Sequence, residues 1–117
     1  KITNNQIKAI IPVHVFGHTC DIIGVINIAK KYKLKVIEDA AEALGSFFKK
    51  KHLGTFGDIG CFSFHPLKNL NVWGDGGVIT TNNTKLSNKL RLMRNHGLSG
   101  RNSCEIFSYN SRFMSVS

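Results

Sequence analysis

Three side chains in this chain have types and positions suited to joint chemistry: Asp39, Ser63 and Lys68. Lys68 follows an apolar, β-rich run, Ile59 to Phe64, that Pro66 brings to an end. It stands alone among apolar and small residues. Charge is costly for a lysine at the end of a buried strand, and desolvation favours the neutral, nucleophilic amine that builds Schiff bases with aldehydes. A solvated loop lysine is the competing reading. Asp39 closes a second hydrophobic run as a partly buried carboxylate, which calls for a cationic partner: a protonated pyridine nitrogen, an arginine or a helix N-terminus. Ser63, five positions before Lys68, offers a hydroxyl to a phosphate oxygen, or else faces a polar strand edge.

These residues need elements to carry them. Ile7 to Val15 is β-rich, with Pro12 arguing against a central strand or for a bulge. Asp21 to Lys33 predicts a helix, with Ile22, Val25, Ile26 and Ala29 on one buried face, Asp21 at its positive start and lysines at its negative end. Leu34 to Ile37 predicts a second strand running into Glu38 and Asp39. Strand, helix, strand makes a βαβ unit with parallel strands and a right-handed crossover. Ligands bind beyond the carboxyl ends of such strands, where Asp39, Ser63 and Lys68 all fall. Residues 43–57 read as a glycine-punctuated loop, with Lys49-Lys50-Lys51 as a charged turn. Gly74 to Gly77 predicts a tight turn before a strand over Val78 to Thr81. Asn82 to Thr84 offers caps for a helix through Arg94, with Leu86, Leu90 and Met93 as its stripe and Gly97 as its stop. Leu98 to Ser108 reads as polar loop.

The 117 residues suffice for one domain, and 42% hydrophobic with 20% charged content is ordinary for a globular protein. No apolar run reaches membrane-spanning length. Cys20, Cys61 and Cys104 lack metal-ligand spacing, His14, His52, His65 and His96 show no helical pairing, and reduced cytoplasmic thiols are the plain expectation. The net charge of +9 invites a test for nucleic acid, but the basic residues are scattered and no DNA- or RNA-binding pattern appears. A phosphorylated cofactor or nucleotide-linked substrate uses such charge equally well. Both ends read as cut, so an internal piece of a longer protein is expected.

Taken in order, several segments carry a family likeness: Val13-His14-Val15-Phe16-Gly17, Glu38-Asp39-Ala40-Ala41-Glu42-Ala43, Gly57-Asp58, Phe62-Ser63-Phe64-His65-Pro66-Leu67-Lys68-Asn69, Gly74-Asp75-Gly76-Gly77 and Asn95-His96-Gly97. Together they resemble the DegT/DnrJ/EryC1/StrS family of pyridoxal-phosphate-dependent nucleotide-sugar aminotransferases. Tyr109-Asn110-Ser111-Arg112 resembles a further family segment. The likeness implies an α/β fold: part of the large domain of an aspartate-aminotransferase-like (fold type I) α/β/α sandwich with a mostly parallel sheet. Residues 1–117 would be part of that cofactor-binding domain, with the N-terminal segment and C-terminal small domain absent.

The same resemblance implies residue roles. Lys68 would bond covalently to pyridoxal 5′-phosphate, Asp39 would pair with its ring nitrogen, and Ser63 would bind its phosphate. Ala41 would pack on the ring face and Glu42 would approach the ring hydroxyl, where family members often have glutamine. Asn110 would reach across a homodimer interface to the partner's cofactor phosphate. The implied activity is transfer of an amino group, from glutamate, to a keto sugar nucleotide in cytoplasmic amino-sugar biosynthesis for polysaccharides or secondary metabolites, with no metal, nucleic acid or membrane partner. Related dehydratases carry histidine where Lys68 stands, so lysine favours transamination over a dehydratase. A catalytically silent regulatory homologue is the other alternative.

Overall fold

The computed structural model describes residues 6–111. Its centre is a four-stranded sheet in the order β1 (Ala9–Ile10), β2 (Lys35–Asp39), β5 (Ile59–Ser63), β6 (Gly77–Thr80). The first three strands are parallel and β6 is antiparallel to β5, so the fold is α/β with a mostly parallel sheet, as expected.

The first strand is shorter than Ile7 to Val15. Pro12 has no N–H to donate, and regular pairing stops at Ile10. The chain nevertheless stays beside β2: the Pro12 carbonyl accepts from the Asp39 N–H at 2.9 Å, and His14 N–H donates back to the Asp39 carbonyl at 3.0 Å. A 3-10 turn over Val15–Gly17 follows, with Phe16 in the left-handed region at φ 50°.

The first helix, α1 (Ile22–Tyr32), starts as its sequence predicts. Gly24 N–H donates to the Asp21 carboxylate at 3.0 Å, an N-cap worth about 1 kcal/mol. Lys33 takes the left-handed C-cap at φ 54°. Ile22 and Ala29 are buried, and Val25 and Ile26 half-buried, on the expected face.

Residues 43–57 are not simple loop. Strands β3 (Phe47–Phe48) and β4 (Lys51–His52) form an antiparallel hairpin. Its two central residues, Lys49 and Lys50, both have positive φ, 47° and 65°, the signature of a primed turn usually made by Asn-Gly. Cation–π contacts hold two lysines of the hairpin against aromatic rings: Lys49 Nζ lies 5.4 Å from the Phe48 ring centre and Lys51 Nζ 4.6 Å from that of Phe56. Lys49 and Lys50 are therefore a turn, as their position suggested, and Lys51 begins β4. Below it, Ala40, Ala43, Leu53 and Phe62 form the buried core, with Leu44, Phe48 and Phe56 against them.

After β6 comes α2 (Thr84–Arg94), capped by Asn83, whose side chain accepts from Leu86 N–H at 3.0 Å. None of its residues is buried; Leu86 and Leu90 are half-covered and Met93 is exposed. A wide groove between β6 and α2, lined by Val78, Ile79, Leu90 and Met93, separates the two elements. The expected polar loop after Gly97 contains a second small hairpin, β7 (Leu98–Gly100) and β8 (Ser103–Cys104). Among the described residues, no helix is long and apolar enough to cross a membrane.

Candidate active site

Side-chain direction alternates along a strand, and directly paired residues share a face. Asp39 pairs with Cys61, so the two share a face of the sheet, and Ser63, two residues farther along β5, joins them. The other face carries Glu38 and Phe62, which enter the core under the hairpin. Asp39 and Ser63 thus lie at the carboxyl ends of neighbouring parallel strands, on one side of the sheet. The Cys61 thiol records this proximity: burial pushes it up, and the charge of Asp39 pushes it further.

Asp39 was expected to need a cationic partner. Among the described residues its carboxylate forms no ion pair; Oδ1 accepts from the Ala41 N–H at 3.1 Å instead. That bond turns the chain immediately after the strand and fixes Ala41 half-exposed beside Asp39. Turn bonds from Ala43 N–H to the Ala40 carbonyl and from Ser46 N–H to the Ala43 carbonyl continue the bend.

Ser63 Oγ accepts from His65 N–H at 3.2 Å, and Lys68 N–H donates to the His65 carbonyl at 2.8 Å. One compact turn therefore links the serine to the lysine. Two further bonds, from Phe64 N–H to the Gly76 carbonyl and from Val72 N–H to the Phe64 carbonyl, close this loop on itself.

Lys68, which stands alone in the local sequence, has a carboxylate partner in the fold. Its Nζ lies 3.0 Å from Oε1 of Glu42, and both side chains are only part-exposed. Glu42 Oε2 accepts from Phe16 N–H at 3.0 Å. The hydrogen bond from Lys68 and then that from Phe16 hold the Glu42 carboxyl below its ordinary value. Asn69 Nδ2 donates to the Leu44 carbonyl at 2.9 Å, a second tie between the two loops. Local sequence could not show these pairings, because the partners lie 26 and 25 positions apart.

Directly behind the site is a pair the sequence reading missed. His14 Nε2 meets Glu38 Oε2 at 3.0 Å, and both side chains are fully buried. Cys20 N–H approaches His14 Nδ1 at 3.4 Å, which puts the ring hydrogen on Nε2, donating to Glu38. Glu38 also accepts from Gly54 N–H at 2.8 Å and Gly57 N–H at 2.6 Å. One signal was available: Val36, Glu38 and Ala40 alternate inward, so Glu38 had to be buried and needed donors.

Asn110 sits elsewhere along the chain, in a bridge to Asn95 at the end of α2. Arg112 lies outside the described residues. Among the described residues, no cluster of three or more His, Cys, Asp or Glu could hold a metal ion.

The chain matches the DegT/DnrJ/EryC1/StrS aminotransferase family over residues 1–117. It is 49% identical over 105 residues to UDP-N-acetyl-3-dehydro-alpha-D-glucosamine 3-aminotransferase of Acidithiobacillus ferrooxidans, covering 90% of this chain and 28% of that protein. Its fold is similar to that of DesV from S. venezuelae, with TM-score 0.89 and 36% identity over 94% of this chain and 30% of the other. The ntda structure from Bacillus subtilis, solved with bound cofactor PMP, has TM-score 0.80 and 37% identity over 91% of this chain and 24% of the other. The chain thus spans about 28% of the length of the curated relative.

Proposed function

This chain belongs to the DegT/DnrJ/EryC1/StrS aminotransferase family, and we propose that the full-length protein is a pyridoxal-phosphate-dependent nucleotide-sugar aminotransferase. It would move an amino group from glutamate to a keto sugar nucleotide in cytoplasmic amino-sugar biosynthesis, with residues 1–117 as part of its cofactor-binding domain. The observation that carries this reading is the register of β2 on β5, with Asp39 across from Cys61 and Ser63 two positions on.

The donor set fits the cofactor. Asp39 has no ion-pair partner among the described residues, so its charge is available to a protonated ring nitrogen. Ser63 accepts a hydrogen bond at Oγ and retains its own O–H for a phosphate oxygen. Lys68 supplies the amine. When bound, the cofactor supplies an aldehyde to that amine and a ring that withdraws electrons from the substrate carbon.

The chain's own groups would then divide the work. Asp39 keeps a proton on the ring nitrogen. Ser63 Oγ and, from a partner subunit, Asn110 hold the phosphate. Ala41 N–H orients the Asp39 carboxylate while the alanine methyl lies against the ring. Lys68 Nζ takes the substrate α-proton and returns it at a neighbouring carbon, as base and then acid. Glu42, acceptor-only when ionised, would receive a hydrogen bond from the ring hydroxyl, where a glutamine could also donate.

The test is the glutamate half-reaction in the full-length protein loaded with pyridoxal phosphate. The proposal expects release of one 2-oxoglutarate per bound cofactor, with a change in cofactor absorbance. Release of none, with unchanged absorbance, would contradict it. Nucleotide-linked keto sugars offered next should gain the amine, read by mass.

A further inference from the structure

Glu42 joins three segments at once. Its Oε2 is anchored on Phe16 N–H in the 3-10 turn after β1, and its Oε1 holds Lys68 Nζ on the loop after β5, each at 3.0 Å. The turn over Val15–Gly17 packs directly against Glu42: a Cβ on Gly17 would lie 3.2 Å from the Glu42 carbonyl. Phe16 adopts its left-handed conformation where its N–H meets that carboxylate. Neighbouring titratable groups have other partners. Asp39 Oδ1 accepts from Ala41 N–H, and His65 Nδ1 accepts from Leu67 N–H at 3.2 Å.

We propose that Glu42 is a reversible latch on Lys68. It clamps the ammonium, and this pair must open and the ammonium lose a proton to solvent before Lys68 can condense with an aldehyde. The step balances. The Lys68 ammonium gives one proton to a solvent base, the amine nitrogen attacks the aldehyde carbon, a C=N bond forms, and the carbonyl oxygen leaves as water with the two hydrogens of the amine. The anchor on Phe16 keeps the carboxylate in place while Lys68 swings away. This role rests on the cofactor reading above and adds a function for Glu42 before the cofactor is bound.

The experiment labels the amines of cofactor-free, full-length protein with trinitrobenzenesulfonate at one pH and reads each lysine by peptide mass spectrometry. Glu42→Gln removes the charge and Glu42→Ala removes the acceptor altogether. Both should label Lys68 about two- to fivefold faster than the native protein, the span of a part-exposed ion pair. Lys35, paired with Asp58 at 2.8 Å, is the internal reference and should keep its rate. Equal Lys68 rates in native protein and both variants would overturn the latch. Pyridoxal phosphate added to the native protein before labelling separates the two ideas. If it protects Lys68, the cofactor reading holds and the variant rates decide the latch. If it leaves Lys68 fully reactive, the cofactor reading fails, and the latch's role in condensation fails with it.

Discussion

The imidazole of His14 and the carboxylate of Glu38 lie 3.0 Å apart with neither side chain exposed, one residue behind Asp39. His14 also donates through its backbone to the Asp39 carbonyl. The pair and its two glycine donors, Gly54 and Gly57, therefore tie the segment after β1, the end of β2 and the segment before β5 to one carboxylate.

Glu38→Gln should destabilise the full-length protein by about 2–4 kcal/mol, because the amide turns a donor toward donors in a buried site. Glu38→Ala should cost at least as much, leaving His14 Nε2–H and two backbone N–H groups unpaired. Denaturant unfolding measures both. A change below about 0.5 kcal/mol in either would show that the pair contributes little.

Gly60→Ala should be worse tolerated than most glycine substitutions. Gly60 lies in β5, and a Cβ there would overlap the Gly54 carbonyl, which also accepts from Thr80 Oγ1 at 2.8 Å. Backbone cannot yield as a flexible side chain does, so a loss of about 3 kcal/mol or failure to fold is expected. Normal expression and an unchanged melting temperature would contradict the close packing.

Stability should fall in acid through Glu42 and Asp58. Burial pushes the Asp58 carboxyl up, but hydrogen bonds from Lys35 Nζ and Val36 N–H outweigh it and leave it below its ordinary value. Glu42 is likewise lowered, by Lys68 and Phe16. A folded carboxyl below its unfolded value stabilises fully above the unfolded value, near pH 4, and loses that contribution as pH falls through the folded value. Asp58→Asn and Glu42→Gln should each flatten the loss of stability below about pH 4. An unchanged acid limb in both variants would remove these pairs from the account.

Asp39→Asn should make the Cys61 thiol about two- to threefold more reactive toward a maleimide in cofactor-free protein, since the carboxylate that raises it is gone. No change in rate would argue against the shared face of Asp39 and Cys61. In the loaded enzyme the same substitution should cut transamination by at least about a hundredfold.

Local chemistry made much of the fold legible. Asp21 marks the positive start of its helix, Asn83 is among the residues that offer a cap to the next, and Ile59 to Phe64 reads as a strand from its composition, one residue longer than β5. The β3–β4 hairpin was hidden because its strands have two residues each and its turn uses two lysines in place of glycine or asparagine. The β7–β8 hairpin was hidden by the polarity of residues 98–108. Pro12 argues against a central strand position or for a bulge, and among the described residues β1 lies at the edge of the sheet and ends at Ile10. At the site, the strand-end positions of Asp39 and Ser63 followed from βαβ logic. The bond between Lys68 and Glu42 did not, because only the tertiary fold brings the two loops together.

The most direct measurement is borohydride reduction of the full-length, pyridoxal-phosphate-loaded protein, followed by mass spectrometry of its peptides. The pyridoxyl mass should be fixed on the peptide containing Lys68, and Lys68→Ala should bind cofactor without turning over. A label on another lysine, or ordinary activity in Lys68→Ala, would contradict the assignment of Lys68 as the cofactor-bearing residue.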